Sequence, residues 1–234
     1  MAPDDWRAVR RPPLEPHMAH VWRVPLDDVS QLEAYLPTLS AEEQARADRF
    51  FRDVHRRRFV IAHGALRRIL ADYLDVMPGV LEFVTGEHGK PALTPIAGPQ
   101  PAAVEFNLSH SGDLALVAVT RANPVGVDVE QWDEGVECME LAERFFSPNE
   151  RRALRALAKA PNHVVAGFFA AWTRKEAYLK ATGSISTEHA RCSKKSGLPA
   201  TSPRSCSLRR LRSMARHFPH RSVTNSSSPG MTSR

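Results

Sequence analysis

The sequence predicts an α+β fold of two related, pseudo-symmetric α/β halves, the second incomplete, followed by a disordered tail. Strand-like segments alternate with two long amphipathic helices, a capping-box helix followed by a long helix occurs twice, and the composition changes abruptly after Gly183. On these grounds residues 1–18 read as a flexible N-terminus and 19–124 as an N-terminal subdomain. Residues 125–183 read as a shortened C-terminal subdomain, and 184–234 as a Ser/Arg-rich disordered tail.

The elements follow in order. "AHVWRVPLD" alternates apolar and polar residues as a strand does. "LSAEEQARADRFF" opens a helix with Ser40 and Glu43 at capping-box spacing, and the basic, amphipathic "RRRFVIAHGALRRILADYL" predicts a longer one. Short strands follow around "LEFVTG", "AVEFNLSH" and "LALVAVT", separated by Gly and Pro turns. "VGVDVE" reads as a further strand. In "RFFSPNERRALRAL", Ser147 is the cap, Pro148 the first helical residue and Glu150 the box partner. A last helix, "VVAGFFAAWTRKEAYLKATG", ends at Gly183 as its C-cap. The helix pairs starting at Ser40 and Ser147 are a weak internal repeat, and the second copy lacks the strands that follow the first.

Composition narrows the function classes. The 234 residues are 42% hydrophobic and 25% charged, as in an ordinary globular chain. No apolar run reaches about 18 residues and no secretory h-region opens the chain, so a cytoplasmic protein without membrane association is expected. Cys138, Cys192 and Cys206 lie far apart, which indicates neither a zinc site nor a disulfide framework. The net charge of +6 belongs to the tail: residues 184–234 carry ten Lys/Arg and one acid, Glu188, which leaves 22 bases against 25 acids before it. With thirteen serines in 51 residues and no apolar periodicity, the tail should not offset its ordering entropy. It is either a natural interaction tail or the product of out-of-frame translation, and the abruptness of the change favours the second.

The chemistry centres on "VGVDVE". Residues i and i+2 of a strand share a face, so Asp128 and Glu130 present carboxylates side by side. Such a pair repels itself unless a cation neutralises it, and oxygen-only ligands suit a hard cation such as Mg²⁺. For a bare D-x-E, a solvated edge strand is the stronger competing reading. In "WTRKEAYLK", Glu176 and Lys180 fall at i and i+4, either a surface pair worth roughly 0.3–0.5 kcal/mol or a third carboxylate with a lysine beside it. Trp172 and Leu179 supply that helix's buried side. Lys90 of "HGKPAL", and Ser109 and His110 of "NLSHSG", lie in or beside Gly-containing turns, where they are either ordinary turn residues or contacts to a phosphate.

Taken together and in this order, "GKP", "FNLSHSG", "VGVDVE", "FFSPNE" and "WTRKEAYLKATG" resemble the 4′-phosphopantetheinyl transferase superfamily, in its larger two-subdomain type. The resemblance spans about Val21 to Gly183. It implies Mg²⁺-dependent transfer of phosphopantetheine from coenzyme A to a serine of an apo acyl or peptidyl carrier protein, releasing adenosine 3′,5′-bisphosphate. By the same resemblance Asp128, Glu130 and Glu176 would bind the metal, Glu176 would be the base, directly or through water, for the carrier serine, and Lys180 would stabilise the transferring phosphoryl oxygens. Arg58, Lys90, Ser109 and His110 would hold coenzyme A, with Arg46 and Arg49 as further phosphate contacts. Helix capping accounts for Glu150 by itself. A monomer is expected, because two subdomains of one chain can form the site between them.

The chain departs from the family pattern after "KATG", where further strands are expected and the Ser/Arg-rich tail stands instead. Their loss predicts a destabilised second half, exposed Phe168, Phe169 and Trp172, and a non-catalytic remnant that still binds coenzyme A as one alternative. The other is nucleic-acid binding through the tail. It is disfavoured, because no aromatic interleaving or reading motif accompanies the charge.

Overall fold

The computed structural model describes residues 13–86, 89–95, 103–133, 135–158 and 161–183. The tail read as disordered lies outside them. In chain order the elements are β1 (Ala19–Pro25), α1 (Leu32–Tyr35), α2 (Ala41–Asp48), α3 (Asp53–Leu74), β2 (Phe83–Thr85), β3 (Pro91–Leu93), β4 (Val104–Ser111), β5 (Leu114–Arg121), α4 (Cys138–Phe145), α5 (Pro148–Ala156) and α6 (Pro161–Thr182). Among the described residues no helix is long and apolar enough to cross a membrane.

β5 runs between β1 and β4, antiparallel to both. Its register aligns Ala115, Val117 and Val119 with Val24, Trp22 and His20 of β1 and with His110, Leu108 and Phe106 of β4. Ala115, Val117 and Val119 are fully buried, in one core with Ile61, Ala65, Leu66 and Leu70 of α3. Burying a Val or Leu side chain is worth about 1.5–3 kcal/mol, so a one-residue slip, which would turn Val117 and Val119 outward, is strongly disfavoured. The same core includes Leu14, so packing begins within the segment read as a flexible N-terminus. β2 and β3 form a separate antiparallel pair; β3 was not anticipated from the sequence.

The first capping box also anchors a buried ion pair. Ser40 and Glu43 cap α2 reciprocally, and the Glu43 carboxylate accepts from Arg67 Nε at 2.6 Å and lies 3.0 Å from His63 Nδ1. Arg67, only 2% exposed, donates as well to the carbonyls of Pro78 and Leu81. One guanidinium therefore ties α2, α3 and the turn before β2 together.

Among the described residues the regular elements of the second half are all helices. Ser147 and Glu150 form the expected capping box on α5, and α6 ends at Gly183 with φ of 68°, the left-handed conformation that glycine adopts without strain. Both long helices have 22 residues. α4 was not anticipated. It corrects the expectation that Phe168, Phe169 and Trp172 are exposed: they are 1%, 7% and 5% exposed, packed with Ala142 of α4, with Phe146 at the C-terminal cap of α4 and with Leu154 of α5. Phe168 stacks on Phe146 and Trp172 and meets Phe169 edge to face, so α4 and α5 supply the cover that strands were expected to give.

A second correction concerns Val125–Glu130, which joins no strand ladder. Side chains of β4 take its amide groups instead: Val127 N–H donates to Asn107 Oδ1, Val129 N–H to Ser109 Oγ and Gln131 N–H to Ser111 Oγ. At Gly126 a Cβ would fall 1.9 Å from the Ala177 carbonyl oxygen and 2.4 Å from Ala181 N. Only glycine allows this backbone-to-backbone approach of the acidic segment to α6.

Replacing Arg67 by alanine leaves the Glu43 carboxylate without its principal cation and should cost roughly 3–5 kcal/mol in chemical denaturation. Burial pushes Glu43 up, but the His63 and Ser40 hydrogen bonds and the Arg67 charge bring it from 4.5 to about 2. Its stabilisation is therefore complete above 4.5 and lost as pH falls toward 2. Unfolding free energies measured across that window should decline in the parent chain and decline less in Glu43→Gln.

Candidate active site

The acidic segment, β4 and the C-terminal half of α6 meet around one ammonium group. Lys180 Nζ lies 2.5 Å from Asp128 Oδ1 and donates to Ser109 Oγ at 3.0 Å, while Ser109 donates to Asp128 Oδ1 at 3.0 Å. The Asp128 side chain is 3% exposed. Glu130, two residues on, accepts from Ser111 Oγ at 3.2 Å and from the Trp172 side chain. Asp128 and Glu130 thus engage equivalent positions of β4, as their i, i+2 spacing predicts, although the segment is not a strand. Glu176, one helical turn before Lys180, completes the set.

The charges do not balance locally. Burial, then the charge of Asp128, pushes the Glu130 carboxyl above its ordinary value against the opposing effect of Ser111, Lys180 and Trp172. Burial and Asp128 raise Glu176 in the same way, with Glu130 adding to the effect and Lys180 opposing it. Two carboxylate oxygens, Asp128 Oδ2 and Glu176 Oε1, are buried with no hydrogen-bond partner. A buried acceptor without a partner costs about 1–3 kcal/mol, and more when charged. Three acids facing one lysine are therefore short of positive charge.

Among the described residues no three His, Cys, Asp or Glu side chains stand together as a ready metal-holding group. Lys180 is seated on Asp128 instead. The donor chemistry nonetheless fits a hard cation: the ligand atoms are all carboxylate oxygens, two of them without partners.

The other predicted residues fall in two places. His110 is on the α3-facing side of β4, and its pKa is held down by partial burial and then by His63, Lys180, Arg58 and Arg46, which describes a cationic neighbourhood. Its side chain keeps an exposed edge, so the charges of Lys180, Arg58 and Arg46 are the firmer cause. Arg58 is paired with Asp113 at 2.6 Å in the β4–β5 turn, and Arg46 stacks over Phe59 at 5.2 Å. Arg49 is exposed. Lys90 stands apart from the His110 cluster: its ammonium donates to the Val125 carbonyl at 2.9 Å, at the start of the acidic segment, and burial lowers its pKa. Glu150 does more than cap, since it also pairs with Lys175 of α6 at 2.9 Å. Asn107, Ser111 and the Trp172 contact to Glu130 were not anticipated. The period-two N-x-S-x-S of β4 was the available signal for the first two.

The chain is similar to known proteins along most of its described length. A family model described as the N-terminal part of 4′-phosphopantetheinyl transferase matches residues 22–122, and that of the 4′-phosphopantetheinyl transferase superfamily matches residues 124–210, past Gly183. The 4′-phosphopantetheinyl transferase HetI of Nostoc sp. is 46% identical over 167 residues, covering 70% of this chain and 68% of the relative. The 4′-phosphopantetheinyl transferase psf-1 of Bacillus pumilus is 36% identical over 164 residues, 68% of this chain and 65% of the relative. A 4′-phosphopantetheinyl transferase of Bacillus subtilis is 31% identical over 148 residues, 63% and 62%. The chain spans about two thirds of the length of these relatives. With two successive family models matched and a relative 46% identical over 70% of the chain, the chain belongs to the 4′-phosphopantetheinyl transferase superfamily, a superfamily of transferase enzymes.

Proposed function

We propose that this chain moves the phosphopantetheine arm of coenzyme A onto a serine of an apo acyl or peptidyl carrier protein, with Mg²⁺, and releases adenosine 3′,5′-bisphosphate. The observation that carries the reading is the pair of buried, partnerless oxygens, Asp128 Oδ2 and Glu176 Oε1, in an acidic cluster offset by one lysine. Asp128, Glu130 and Glu176 would hold the cation. When bound, Mg²⁺ neutralises pyrophosphate charge and polarises the phosphoryl group under attack.

The chain's own groups then divide the work. The serine hydroxyl forms a new O–P bond at the pantetheine-bearing phosphorus while the bridging P–O bond to the adenosine bisphosphate breaks. Glu176 accepts the serine proton, directly or through water, from its place one helical turn before Lys180 and beside Asp128. Lys180 moves from Asp128 to the transferring phosphoryl oxygens, a displacement within reach of a flexible side chain. His110 receives the phosphates beside it, with Ser109, whose proton is held by Asp128, bordering them, Arg58 and Arg46 supplying positive potential and Lys90 approaching from the Val125 side. The repeated capping box and equal long helices support two pseudo-symmetric halves.

Intact-mass measurement of an apo carrier protein incubated with the full chain, coenzyme A and Mg²⁺ tests the reading. A gain of one phosphopantetheine, abolished by Asp128→Ala, is expected. A folded chain that binds coenzyme A without turnover would identify a remnant.

The crowded acids also make a stability prediction. A carboxyl whose folded pKa is raised costs stability above that pKa, and the cost vanishes as pH falls through it. Glu176→Gln should therefore melt higher than the parent at pH 8 in the absence of divalent cations, with the difference narrowing in acid and transfer activity lost. Equal melting at pH 8 would mean that the acids are not in conflict.

A further inference from the structure

The acidic segment is held by side chains where a strand would be held by main chain. Val127, Val129 and Gln131 donate their amide protons to Asn107, Ser109 and Ser111 at 2.9, 3.4 and 3.0 Å, each across a separation of 20 residues. Between these contacts, Ser109 donates to Asp128 and Ser111 to Glu130, each across 19 residues. Both sides advance by two residues per step and in the same direction, so the segment runs parallel to β4 with a fixed register.

We propose that Asn107 and Ser111, acting with Ser109, are positioning residues that set the spacing and orientation of Asp128 and Glu130. Each hydroxyl binds the carboxylate and the next amide of the segment together. Ser109 uses its full capacity: its proton goes to Asp128, and its oxygen accepts from Val129 N–H and Lys180. Ser111 repeats this for Glu130 and Gln131 without a lysine. Asn107, 7% exposed, fixes the segment's entry at Val127. A shift of one residue would bring the side chains of Val127 or Val129, in place of the acids, opposite the serines. Where the acids serve as cation ligands, these contacts are what orient them; this second clause rests on the function proposed above.

The test uses the full chain, with amide hydrogen exchange at Val127, Val129 and Gln131 and a titration with Mn²⁺ as the probe ion. Ser111→Ala should lose protection at Gln131 and bind Mn²⁺ roughly 10- to 100-fold more weakly, as removal of a ligand-orienting group does elsewhere. Ser111→Thr, which keeps the hydroxyl, should restore both. Asn107→Leu, similar in size but without the acceptor, should lose protection at Val127 and weaken Mn²⁺ binding. Unchanged exchange in Ser111→Ala and Asn107→Leu would overturn the proposal, as would failure of Ser111→Thr to restore the parent values. If the parent chain does not bind Mn²⁺, the cation reading fails by itself and the exchange pattern alone decides whether the serines set the register.

Discussion

Three carboxylates and one ammonium group share the space between β4 and the end of α6, and much of the second half is arranged to keep them there. Asp128 is almost fully buried, and its contacts with Lys180 and Ser109 keep that burial tolerable. Among the described residues no lysine pairs with Glu130 or Glu176 as Lys180 does with Asp128, and burial together with their acidic neighbour raises both. An arrangement that only stabilised the fold would not gather acids in this way, because an uncompensated buried charge is expensive. The cost becomes intelligible if the site is completed by a dication and phosphates.

The supporting structure follows from this constraint. Gly126 lets the acidic segment touch the α6 backbone, so that Asp128 reaches Lys180 from a neighbouring chain segment. α6 is held in place by Phe168, Phe169 and Trp172, buried against α4 and α5, and by the Glu150–Lys175 pair that links its middle to the α5 cap. Trp172 faces both ways, with its ring in the aromatic cluster and its side chain bonded to Glu130. The first half contributes β4, whose core face carries Phe106 and Leu108 and whose other face carries Asn107, Ser109 and Ser111. One strand thus links the hydrophobic core to the acidic site.

Where local chemistry decides structure, the sequence was legible. Ser40 with Glu43 and Ser147 with Glu150 announced two helix starts, Gly183 a helix end, and the alternation in β1, β4 and β5 the main sheet. The D-x-E spacing foretold that Asp128 and Glu130 act as neighbours. Tertiary packing was not legible to the same degree. "VGVDVE" has the β-branched composition of a strand, yet serine and asparagine side chains replaced the ladder, and only a contact 20 residues away could reveal that. The loss of the strands after Gly183 predicts exposed aromatics on α6, yet α4 and α5 cover them, a packing that no local pattern in the sequence announces. Glu176 and Lys180 fall at helical spacing, but the lysine pairs with Asp128 across 52 residues, a contact that spacing along the helix does not announce.

The most direct measurement is a crystal structure of the full chain with Mg²⁺ and coenzyme A. The predicted result is an ion seated on Asp128, Glu130 and Glu176, with Lys180 withdrawn from Asp128 and directed at a phosphate. An ion bound elsewhere, or Lys180 still seated on Asp128 with coenzyme A in place, would contradict the central claim that this acidic cluster exists to be completed by a cation.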